Sequence, residues 1–70
     1  MSMKAQEKLG ENIRKVRTSA DWTQQQVADR AGMHVNYYAR IERGEENPSF
    51  ETLEKIMKAL KIKSKEVMPF

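Results

Sequence analysis

The stretch Thr23-Gln-Gln-Gln-Val-Ala-Asp-Arg-Ala-Gly-Met-His-Val-Asn-Tyr-Tyr-Ala-Arg-Ile-Glu42 decides the fold. Thr23 followed by Gln26 spells a capping box, in which each side chain satisfies the other residue's backbone N–H at the start of a helix. Val27, Ala28 and Ala31 give that helix a narrow apolar face. Gly32 ends it, because glycine takes the left-handed conformation without a Cβ penalty. At about nine residues such a helix is too short to persist alone and must be held by its neighbours. A further helix starts near His34 and reaches about Arg43, where Gly44 stops it. Two short helices joined across a glycine turn form a helix-turn-helix. Small Ala28 lets the second cross closely over the first, and Val27, Tyr38 and Ile41 lock the pair to the rest of the domain.

Upstream, Leu9, Ile13, Val16 and Ala20 line one stripe of a helix running from about Lys4 to Ala20. Gly10 lies inside it at some cost in helix propensity, a choice that suits close packing. Downstream, Glu45-Glu46-Asn47-Pro48 is a loop, and Ser49 caps a fourth helix whose inward stripe is Phe50, Leu53, Ile56, Met57 and Leu60. A short fifth turn, Ser64 to Met68, precedes Pro69. The pattern predicts an all-α fold of five helices and no sheet. It forms one domain over residues 1–70, with the helix-turn-helix at about 23–43 and residues 1–3 disordered.

Seventy residues allow only one domain with a small core. Thirteen Lys/Arg against ten Asp/Glu give a formal charge of +3, compatible with a polyanionic partner but weak evidence while both signs are mixed. With no Cys and a single His, His34, neither a disulfide nor a zinc-finger site can staple the chain. No metal or cofactor is expected. No apolar run approaches the ~20 residues that span a bilayer, and no secretory apolar segment opens the chain. A cytoplasmic protein with no membrane partner is therefore expected. Catalysis is not expected either: there is no Cys nucleophile, no second His, no phosphate-binding glycine loop and no metal cluster.

The motifs Leu9-Gly-Glu-Asn-Ile-Arg-Lys-Val-Arg17, Thr23-Gln-Gln-Gln-Val-Ala28, Ala31-Gly32, Arg40-Ile-Glu-Arg-Gly44, Asn47-Pro-Ser49 and Glu51-Thr-Leu-Glu-Lys-Ile56 follow one another at fixed spacing. In that order the chain resembles the phage repressor and Cro helix-turn-helix family, often called the XRE family, from Leu9 to Val67. The resemblance implies a compact lambda-repressor-like domain that binds double-stranded DNA and regulates transcription, most commonly as a repressor. It implies that the helix from His34 to Arg43 is the recognition helix. It also implies a partly buried ion pair between Arg17 and Glu42, joining the first helix to the third, and a grip of Gln24 on a backbone phosphate.

Geometry then says which side chains the recognition helix offers. At about 100° per residue, with Tyr38 turned to the core, Ile41 and Glu42 lie near it while Asn36 and Arg40 point almost directly away. Asn can pair bidentately with adenine, Arg with guanine O6 and N7, and Val35 can touch a thymine methyl. Asn36 and Arg40 are thus base-reading candidates, the alternative being ordinary exposed polar residues. Gln24 is otherwise a surface residue that helps the cap. His34 either caps the helix or meets a phosphate. Tyr37 either reaches a phosphate through its hydroxyl or shields the core edge. Arg43 and Asn47 complete the backbone candidates.

Two departures from the family stand out. The loop after Gly44 reads Glu45-Glu46 where the family commonly carries Lys or Arg, so it either turns away from phosphate or lowers affinity. Many relatives also continue into a sensing or oligomerisation domain, which leaves two readings of this chain. It is either a small regulator resembling the controller proteins of restriction–modification systems or an excised domain. So small a reader should gain affinity as a homodimer on a roughly palindromic operator, with Val67, Met68 and Phe70 as candidate interface residues. The rival reading is a protein-interaction module, such as an antitoxin whose helices cap a toxin.

Overall fold

A computed structural model of the chain describes residues 4–61, which contain four helices: α1 (Ala5–Ser19), α2 (Gln24–Ala31), α3 (Val35–Glu42) and α4 (Phe50–Leu60). The helical turn expected over 64–68, the expected disorder at 1–3 and the candidates Val67, Met68 and Phe70 lie outside the described residues.

Each helix begins and ends for a local reason. The Thr23 hydroxyl accepts from the Gln26 N–H at 3.1 Å, and Gln26 Oε1 accepts from the Thr23 N–H at 2.8 Å, so the capping box is formed. Gly32 takes φ 72°, and the next N–H, of Met33, donates to the Ala28 carbonyl at 3.0 Å to close α2. The Ser49 hydroxyl caps α4 by accepting from the Thr52 N–H at 3.1 Å. At the end of α1, Asp21 turns the chain in the left-handed region at φ 61°, a conformation Asp tolerates better than most residues.

The helix stripes converge on one core. Ile13, Val27, Tyr38, Ile41 and Ile56 are fully buried, with Leu9, Ala28, Ala31, Leu53, Ala59 and Leu60 around them. Helix α2 packs against both α3 and α4, and α1 lies against α3. Gly10 sits at the α1–α3 crossing, where a Cβ would overlap the carbonyl oxygens of Ile41 and Glu42.

Two expected core residues are not in the core. Phe50 is 72% exposed. It is the first residue of α4, and helical side chains tilt toward the N-terminus, so it projects past the end of the packed stripe. Ala20 is exposed because α1 has already ended at Ser19, leaving Val16 as the last residue of its stripe to pack on the core.

Candidate nucleic-acid interface

Helix α3 has one buried and one open side. Tyr38, Ile41 and Glu42 are buried, and Asn36 is exposed on the far side, with Arg40 half-buried beside it. Ala39 is also buried, so it belongs to the packed edge of the helix and not to the open face between Asn36 and Arg40. Val35 and Tyr37 are half-buried and pack against the core. Val35 therefore sits at the margin of the open face, and the Tyr37 ring shields the core edge. Asn47 is exposed in the loop before α4.

His34 is the N-cap of α3: its Nδ1 accepts from the Asn36 N–H at 3.1 Å. The cap fixes the first turn of the helix that carries Asn36. The residue is otherwise exposed.

Behind the open face, Arg17 and Glu42 tie α1 to α3. Arg17 Nε donates to Glu42 Oε2 and Nη2 to Oε1 at 3.1 Å, while Nη1 donates to the Trp22 carbonyl at 2.7 Å. The side chains are only 12% and 2% exposed. Burial alone would raise the Glu42 pKa, but hydrogen bonding from Arg17 and its other polar neighbours outweighs it and holds the carboxyl below its ordinary range. The bond to Glu42 raises the Arg17 pKa in turn. Beside them the Tyr38 hydroxyl is buried with no hydrogen-bond partner among the described residues, and burial pushes its pKa up.

Gln24 belongs to this cluster. Its Nε2 donates to Glu42 Oε1 at 3.0 Å, so in the free protein its amide is turned toward the ion pair and not outward. A third donor on a carboxylate so poorly solvated is worth more there than a bond to water. A phosphate contact would require this bond to open or Gln24 to use its backbone N–H.

Both arginines of the open face have partners. Arg40 Nε donates to Glu46 Oε1 at 3.0 Å, and its guanidinium lies 5.9 Å from the Tyr37 ring centroid. Arg43 Nε and Nη2 both donate to Glu45, at 2.7 and 3.2 Å. The sequence left two outcomes for Glu45 and Glu46, turning away from phosphate or lowering affinity. In the structure both carboxylates pair with arginines of the recognition helix and its C-cap. The signal was present as opposite charges two and six residues apart, but only the turn at Gly44 (φ 76°) brings them together.

A second basic feature lies apart from α3. Arg30, Lys55 and Lys58, with Ala31 and Ala59, line a cleft of about 420 Å³ between α2 and α4. Arg30 also covers the Trp22 ring at 4.4 Å. Neither contact was foreseen from the sequence. Among the described residues, no helix is long and apolar enough to cross a membrane, and no cluster of His, Cys, Asp or Glu could hold a metal ion.

Comparison with known proteins finds helix-turn-helix relatives of the same fold. The helix-turn-helix family profile matches residues 13–67. The control protein C.BamHI of Bacillus amyloliquefaciens is 36% identical over 63 residues, spanning 89% of this chain and 78% of that protein. Among solved structures, the restriction-modification controller protein C.AhdI of Aeromonas hydrophila superposes with a TM-score of 0.86 at 31% identity, covering 89% of this chain and 94% of that one. The controller protein C.Esp1396I, solved as a tetramer in complex with its natural 35 base-pair operator, gives a TM-score of 0.84 at 27% identity, covering 94% and 97%.

Proposed function

The chain belongs to the helix-turn-helix family, and from that premise we propose that it is a sequence-specific double-stranded DNA-binding regulator of transcription. It places α3 in the major groove and acts as a homodimer in the cytoplasm, without catalytic activity. The observation that carries this reading is the two-sidedness of α3. Tyr38, Ile41 and Glu42 are buried, which leaves Asn36 and Arg40 for a duplex. Asn36 reads adenine and Arg40 reads guanine, with Val35 at the margin of the base-reading face.

Arg43 and Asn47 serve the backbone, together with His34, the Tyr37 hydroxyl beyond its core-shielding ring, and the N-terminal turn of α2 at Gln24. Contacts to phosphate set register without carrying sequence. A two-fold dimer sets its recognition helices about 34 Å apart, one turn of the duplex, so the operator is roughly palindromic. The relatives support a controller or repressor role: one is named a control protein, and another was solved as a tetramer on its operator.

Selection of binding sites from random duplexes, repeated with Arg40→Ala, tests the proposal. The variant is expected to lose ~1–3 kcal/mol and to relax preference at one base position. Uniform loss on every sequence would remove the base-reading role from Arg40. Indifference of the wild-type protein to all duplex DNA at low salt would overturn the whole reading.

A further inference from the structure

We propose that Glu46 is a positioning residue for base readout: it presents the Arg40 guanidinium to the duplex. This inference rests on the DNA-binding reading above.

The two carboxylates after Gly44 hold their arginines differently. Glu45 takes Arg43 through Nε and Nη2 together, so that fork is occupied. Glu46 takes Arg40 through Nε alone, and neither Nη of Arg40 has a hydrogen-bond partner among the described residues. Recognition of guanine needs two donors side by side to reach O6 and N7. The Nη pair of Arg40 supplies them while Nε stays on Glu46.

The rest of the site keeps that guanidinium in place. The Tyr37 ring lies on one side of it, at 5.9 Å. The loop that delivers Glu46 is itself pinned: the Glu45 N–H donates to the Arg40 carbonyl at 2.9 Å, and the Gly44 carbonyl accepts from Gln6 Nε2 at 2.8 Å. Arg40 is a long side chain with many rotamers, and fixing it before contact lowers the ordering cost of binding. An acidic residue beside a phosphate-facing helix weakens attraction to every duplex alike. At this position it also sharpens the choice of base.

Glu45 supplies the control, since it carries the same charge one residue away. Affinities are measured on a selected duplex and on the same duplex changed at the base pair that Arg40→Ala relaxes, for wild type, E46A, E46Q, E45A and R40A. E46A is expected to lose about tenfold in discrimination at that base pair. E46Q keeps most of it, because the amide oxygen still accepts from Nε. E45A tightens both duplexes by a similar factor and leaves discrimination unchanged. If E46A and E45A both shift the two duplexes equally, Glu46 acts only through its charge and the inference fails, while the DNA-binding reading stands. The inference also fails if E46Q loses discrimination as E46A does. If R40A relaxes no position, Arg40 is not a base reader and both readings of it fall together.

Discussion

Gly10 in α1 lies so close to the carbonyl oxygen of Ile41 in α3 that a methyl group at Gly10 would overlap it. The helix that supports the recognition helix therefore gives up propensity where the two backbones cross. Gly10→Ala gains roughly 1 kcal/mol of intrinsic helix preference. Against this, overpacking costs ~1–3 kcal/mol or more, and here the obstacle is backbone and not a flexible side-chain end. Net destabilisation is expected, read as a lower midpoint in urea unfolding. A variant as stable as wild type would show that the α1–α3 crossing has room for the methyl group.

Arg17→Ala leaves Glu42 buried without its main partner. Breaking such a pair from one side typically costs ~3–5 kcal/mol, a large fraction of what a 70-residue domain has to spare. The damage is to folding. Where the variant remains folded, by lowering temperature or adding a stabilising salt, its base preference is expected to match wild type. Unchanged melting with altered preference would reverse the assignment and move Arg17 into the interface.

The sequence exposes the local rules of this fold more readily than its long-range polar contacts. Thr23, Gln26, Gly32 and Ser49 act within four residues of themselves, so spacing suffices to read them. The buried side of α3 follows from helical period once Tyr38 is turned inward. Periodicity gives Phe50 a direction around the helix but not the point where the neighbouring helix ends, so its exposure is not legible in the sequence. The arginine partners are hidden in the sequence for another reason. Glu45 and Glu46 reach Arg43 and Arg40 only after Gly44 reverses the chain, and their charge alone suggested repulsion from phosphate. Gln24 was placed by resemblance. Its bond to Glu42 depends on how α2 crosses α3, which no residue pattern in α2 encodes.

Gln24→Ala separates two roles. The amide is one of the donors that keep the Glu42 carboxylate satisfied, and a hydrogen bond to a charged group contributes roughly 1.5–3 kcal/mol. A fall in thermal stability is expected in the free protein, together with similar weakening on every duplex as the start of α2 loosens. Uniform weakening with wild-type stability would mean that Gln24 serves phosphate alone.

Acid should destabilise the domain through Glu42. Its folded-state pKa is depressed, so the folded protein takes up this proton at lower pH than the unfolded chain does. The stabilisation is therefore complete above the ordinary glutamate range, near ~4.3, and is lost as pH falls through the depressed value. Unfolding free energy measured from pH 7 down to pH 3 is expected to drop for wild type below about pH 4.5, and to drop less for Glu42→Gln. Glu11 and Glu45 are also depressed, by Lys15 and Arg43 first, but they belong to surface pairs, with side chains 30% and 52% exposed. Salt separates the contributions, because it screens surface pairs strongly and buried ones little. Repeating the series at high salt should flatten the surface contribution and leave the difference between wild type and Glu42→Gln in place. If that difference vanishes with salt, Glu42 titrates as a surface group and the Arg17–Glu42 tie is not the buried link between α1 and α3.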